Sequence, residues 1–145
     1  YDPARTLTRA EWVTMLWRAS GSPAASASAG FTDVKSTDFF APAFDWAFEQ
    51  GIVAGVGDGK AAPAMLLTRE QMVTMLYRYD GKNQTDFDLS AFTDSDTVSY
   101  FAYDAFEWAV ANGYVNGTTD TTLEPQATTN RAQAATILAN YLGLI

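Results

Sequence analysis

A chain of 145 residues with 48% apolar and 14% aromatic content is long enough for one domain with a packed core. It has no cysteine and no histidine, which removes disulfides, thiolate metal sites, the Ser-His-Asp relay and most zinc chemistry. A net charge of −8 argues against nucleic acid and anionic lipid as partners, so any anionic ligand must be caught by a few well-placed cations.

The chain opens abruptly at Tyr1-Asp2-Pro3, without a signal peptide, and no apolar run reaches transmembrane length. It is therefore expected to be a mature or trimmed piece of something longer. Missing cysteine with abundant Thr, Asn, Asp and Gly is compatible with a secreted bacterial surface protein.

The first predicted element follows Thr8. The phrase from Leu7 to Arg18 returns from Leu67 to Arg78, and again, more altered, from Thr129 to Asn140. Arg9, Arg69 and Arg131 then stand 60 and 62 residues apart, with Pro3, Pro63 and Pro125 in one column. Such a period decides the architecture. Thr8, Thr68 and Asn130 occupy N-cap positions, and Glu11, Gln71 and Gln133 follow three residues on, which is the capping box in register. Trp12, Met15, Leu16 and Ala19 recur as Met72, Met75, Leu76 and Tyr79, then as Ala134, Ile137, Leu138 and Tyr141, one apolar stripe per helix.

Between these helices lie two more, predicted over 41–50 and 101–112, with Gly51 and Gly113 as left-handed caps. Phe31-Thr32-Asp33 precedes the first and Phe92-Thr93-Asp94 the second. The loop Gly55-Val56-Gly57-Asp58-Gly59 follows the first and is echoed by Gly117-Thr118-Thr119-Asp120. No segment alternates convincingly with period two, so the predicted class is all-α. Three matched stripes would pack as a pseudo-threefold, central three-helix bundle. A single domain over 1–145 is expected, holding the second half of repeat 1 (1–21), repeat 2 (31–81) and repeat 3 (92–145).

Arg9, Arg69 and Arg131 occupy the first helical position, where the helix dipole disfavours a cation. A guanidinium beside free amides would receive a carboxylate or phosphate; equally, each arginine could bridge a carboxylate such as Asp33 or Asp94. The glycine loop, with Gly55, Gly57, Asp58, Gly59 and its echo Gly117, fits either close ligand approach or a tight turn, and lacks a proper calcium ligand set. Trp46 and Trp108 could stack on sugars or fill the core. Asp45/Glu49 and Asp104/Glu107 read as a solvated helix surface rather than an acid/base pair. No catalytic residue, metal site or cofactor is expected.

Phe31-Thr32-Asp33-Val34, the Trp46 helix, the run from Gly51 to Gly55, Gly57-Asp58-Gly59, Pro63 and Leu67-Thr68-Arg69-Glu70 together resemble the S-layer homology module. Thr8-Arg9-Ala10-Glu11 matches that family's Thr-Arg-Ala-Glu motif unchanged, while Thr68-Arg69-Glu70-Gln71 and Asn130-Arg131-Ala132-Gln133 depart from it. The resemblance implies a pseudo-threefold helical repeat whose central bundle carries helix-loop prongs, and an extracellular, cell-wall or S-layer location. It also implies non-covalent anchoring through an acidic, often pyruvylated, secondary cell-wall polysaccharide or peptidoglycan-linked glycan held in inter-repeat grooves. Arg9 and Arg69 would be the leading anion contacts. The competing reading is a structural or host-interaction module that self-associates or binds a protein through the face left open by the incomplete first repeat.

Overall fold

The computed structural model describes residues 4–116, 119 and 121–145. They form five α-helices, α1 (Arg9–Ala19), α2 (Ala41–Glu49), α3 (Arg69–Asp80), α4 (Tyr103–Ala111) and α5 (Arg131–Tyr141), with short 3-10 turns before α4. Among the described residues the extended pairing is limited to isolated bridges, so the class is all-α.

All three repeat helices begin as their sequences require. Thr8, Thr68 and Asn130 each accept the N3 amide, and Glu11, Gln71 and Gln133 return the bond to the cap backbone. The intervening helices stop where glycine allows a left-handed turn, with Gly51 at φ 75° and Gly113 at φ 76°. Helix α2 ends at Glu49 with Gln50 as its cap. Helix α4 begins two residues later than the pattern predicts, because Tyr100–Ala102 winds as a 3-10 turn. That tighter winding is common at helix starts.

Two compact units are present, one of Leu7–Leu66 and the other of Leu67–Ile145 together with residues 4–6. In the first, α1 packs on α2. Trp12, Val13 and Leu16 are fully buried, as are Ala43, Phe44 and Ala47 of α2. Each such large apolar side chain contributes about 1.5–3 kcal/mol. Phe31 closes this core edge-on against Phe44 and Phe48, at 6.2 and 5.5 Å between ring centroids.

The carboxylates of α2 serve the preceding connection rather than lying free in solvent. Glu49 accepts from the Ser26 N–H and hydroxyl, and Asp45 accepts the Ala29 N–H. In the second unit, α3 buries Met72, Val73, Met75, Leu76 and Tyr77 and packs on α4 through Ala105, Phe106 and Trp108. Trp108 gathers Tyr77, Tyr114 and Tyr141 around it at 5.1–5.9 Å between centroids.

Candidate functional site

Repeat register fixes how each helix start is held. The N1 and N2 amides of α1 donate to Met65 O and Pro63 O, and those of α3 donate to Ala127 O and Pro125 O. With the N3 amides taken by Thr8 and Thr68, these first-turn donors are satisfied within the fold. The amides expected to stand free beside the arginines are therefore not open to a ligand at α1 and α3. What remains at each start is the guanidinium.

Arg9 and Arg69 are both only 6% exposed. Arg9 Nε donates to Ala61 O at 2.9 Å, and Arg69 Nε donates to Leu123 O at 2.8 Å. Arg131 is half-buried, with its backbone N–H on Arg5 O at 3.3 Å; its register equivalent of Ala61 is Tyr1, outside the described residues. Asp33 and Asp94 act one bond behind the arginines. Asp33 accepts the Ala61 and Ala62 N–H groups at 2.8 Å each, and Asp94 accepts those of Leu123 and Glu124 at 2.9 and 2.8 Å. Each aspartate thus fixes the strip of backbone that anchors its arginine.

The glycine loop closes on itself. Val56 N–H donates to Lys60 O and Lys60 N–H to Gly57 O, while Thr32 N–H ties Gly59 O to the Phe-Thr-Asp segment. Gly55, Gly57, Asp58 and Gly59 all carry positive φ, the signature of a tight turn. Gly117 lies outside the described residues. Trp46 and Trp108 are buried, at 6% and 3% exposure, so any contribution to a binding surface comes from beneath it.

Of these residues, Arg69 lines an open groove of about 460 Å³. One wall is Tyr114, Val115 and Asn116, from the segment after α4; the other is the face Ala132, Gln133, Thr136, Ile137 and Asn140 of α5. Asn140 Nδ2 donates to Gly113 O at 2.8 Å and so ties the two walls together. Burial lowers the pKa of Arg69, with Glu124 and Asp94 pulling it back up, and a guanidinium keeps its proton throughout the physiological range.

Among the described residues the lining contains one cation and no carboxylate, in a chain with 17 acidic residues. Amide, hydroxyl and phenol groups lie there beside three aliphatic residues, Val115, Ala132 and Ile137. Sequence reasoning missed Tyr114, Asn116, Gln133, Thr136 and Asn140. Gln133, Thr136 and Asn140 were available as a polar face at spacings 3 and 4, alongside the apolar stripe of α5. Among the described residues no cluster of acidic side chains is placed to hold a metal ion, and no helix is long and apolar enough to cross a membrane.

Repeated capped helices, aspartate-fixed loops and a groove headed by a helix-start arginine define a modular helical repeat with a small polar groove. Residues 30–73 and 91–135 match the S-layer homology domain, and the chain belongs to that family. It is 34% identical over 98% of its length to an amylopullulanase of Thermoanaerobacterium thermosulfurigenes, of which it spans 8%. It is 32% identical to the surface-layer 125 kDa protein of Lysinibacillus sphaericus and 29% identical to a cellulosome-anchoring protein of Acetivibrio thermocellus, spanning 12% and 33% of them.

Proposed function

We propose that this domain anchors a bacterial surface protein non-covalently to the cell wall, by holding an acidic wall polysaccharide in the groove headed by Arg69. The observation that carries the reading is the lining itself: among the described residues, a single guanidinium, no carboxylate, and neutral hydrogen-bonding side chains in a strongly acidic chain. A carboxylate on a sugar, such as a pyruvyl ketal, would pair with the guanidinium while Asn116, Thr136 and Asn140 meet hydroxyls. Local recognition of this kind tolerates the net charge of −8.

The reading is non-enzymatic and places the domain outside the cell. Its relatives support this, since the same module accompanies an amylopullulanase, a surface-layer protein and a cellulosome-anchoring protein. A part shared by proteins with such different names serves their placement rather than one reaction. Five of the chain's carboxylates are engaged in holding the fold: Asp33, Asp94, Asp45 and Glu49 as described, and Glu70 by the Ser99 N–H and the Gln126 side-chain amide.

Arg69→Ala should abolish pull-down by purified pyruvylated wall polysaccharide. Arg69 also carries a structural bond to Leu123 O, so circular dichroism must accompany the assay. Retained binding by a folded Arg69→Ala variant would overturn the site.

A further inference from the structure

Gly113-Tyr114-Val115-Asn116 stands in register with Gly51-Ile52-Val53-Ala54. Each stretch follows a tryptophan helix and turns back on it in the same way. Ile52 N–H donates to Ala47 O and Tyr114 N–H to Ala109 O, both at 2.8 Å. Ile52 is buried, so an aliphatic side chain meets the packing demand at this position. Tyr114 is instead half-buried and lines the groove headed by Arg69, where it is the aromatic residue of the described lining. Its ring exceeds what packing requires there. The ring is also held in place. Its centroid lies 5.1 Å from that of Trp108 and 5.2 Å from that of Tyr141, at interplanar angles of 56° and 70°, so neither neighbour lies parallel on it. Trp108 is buried, Tyr141 is fixed by its hydroxyl on Asp80, and Gly113 O accepts Asn140 Nδ2 from α5. A ring ordered in advance loses little freedom when a ligand arrives.

We propose that Tyr114 is the stacking platform of the groove and selects a pyranose that presents an unbroken face of C–H groups, as a β-linked, all-equatorial ring does. The face of an aromatic ring is the negative part of its quadrupole. Sugar C–H bonds are polarised positive by the ring and hydroxyl oxygens, so the two faces attract. An axial hydroxyl on that face would hold the sugar away from the phenol ring and lose the contact. Val115 and Ile137 extend the apolar surface beside the platform. The inference rests on the anchoring function proposed above and deepens it: Arg69 takes the acidic substituent, and Tyr114 takes a ring of the same glycan. Charge alone would admit any small anion, whereas a platform restricts the groove to sugars of one shape.

The test titrates oligosaccharide fragments of pyruvylated wall polysaccharide with the intact protein and follows the sugar protons by NMR. Protons on one face of one ring should move upfield, because they enter the shielding region above an aromatic plane. Tyr114→Ile, which installs the side chain found at Ile52, should erase those shifts. It should also weaken binding roughly three- to tenfold while the helical circular dichroism is kept. Bound fragments without upfield shifts in the wild-type complex would overturn the platform, and so would undiminished affinity of Tyr114→Ile. Either result leaves the anchoring reading standing on the binding itself. If the variant loses its fold, the wild-type shifts alone decide. Fragments that fail to bind the wild-type protein would remove the anchoring reading and the platform together.

Discussion

Asp33 and Arg9 grip the same residue from opposite sides. The Asp33 carboxylate accepts the Ala61 N–H at 2.8 Å, and Arg9 Nε donates to Ala61 O at 2.9 Å. Asp94 and Arg69 repeat the arrangement on Leu123, at 2.9 and 2.8 Å. The same aspartates also accept the Ala62 and Glu124 N–H groups at 2.8 Å, so a cation at a helix start, unfavourable by the dipole alone, is offset by a carbonyl whose own peptide is polarised by a carboxylate. Arginine and aspartate are linked through one peptide unit, so the arginine column and the Phe-Thr-Asp column form one device.

Replacing Asp33 by Ala should cost about 1–3 kcal/mol in chemical denaturation, because two N–H groups lose a charged acceptor. Burial pushes the Asp33 carboxyl up, but the Ala61 and Ala62 amides and Lys60 outweigh it and hold its pKa below the ordinary value. With the folded pKa the lower one, the stabilisation is complete above the unfolded value of about 3.9 and is lost as pH falls through the folded pKa. Asp33→Asn should remove that part of the acid dependence.

Ala132→Glu places a carboxylate in the groove without breaking any hydrogen bond that holds the fold. Ala132 is exposed in the first turn of α5, where an acidic residue suits the helix dipole. Stability should stay within about 0.5 kcal/mol of the parent, while polysaccharide binding falls on the order of tenfold or more. Thermal melts and isothermal titration check the two halves separately.

The glycines of the 55–59 loop should respond unequally. A Cβ on Gly55 would lie 3.0 Å from Lys60 O and 3.1 Å from the Phe31 ring, at φ +93°. Gly57 meets nothing within 4 Å, although its φ is +111°. Gly55→Ala should therefore cost about 2–3 kcal/mol and Gly57→Ala about 1 kcal/mol, read by denaturant midpoint.

Tyr141 donates its hydroxyl to Asp80 at 2.8 Å within the Trp108 aromatic cluster. Burial, then the bond to Asp80 and its charge, push the Tyr141 pKa well above the ordinary tyrosine range. Its stabilisation is present below the unfolded value of about 10 and is lost as pH rises through the folded pKa. Tyr141→Phe should cost about 1 kcal/mol at neutral pH. The wild-type spectrum should show a tyrosine that resists ionisation as alkali is added and that disappears in Tyr141→Phe, beside Tyr77, which burial also pushes up.

Caps, apolar stripes and glycine stops are local signals, so the helices and their N-caps were legible in the sequence. The start of α4 was not, since a 3-10 turn and an α-helical turn share the same residues at Tyr100–Ala102. Arg69 was legible as a candidate because it contradicts helix electrostatics. Its partner Leu123 was not, because a carbonyl acceptor leaves no mark on the side chain that carries it. Tyr114 and Asn116 reach the groove only through the turn at Gly113 and the Asn140 bond that ties it to α5, a relationship between distant segments. The aspartates were legible as conserved-in-register features of the repeat, but their use, stapling backbone, required the fold.

The most direct measurement is isothermal titration of the intact domain with pyruvylated wall polysaccharide and with the same polymer after removal of its pyruvate. The account predicts saturable binding of the first, and loss of that binding both for the depyruvylated polymer and for the folded Ala132→Glu variant. Equal affinity for the two polymers, undisturbed by Ala132→Glu, would contradict it.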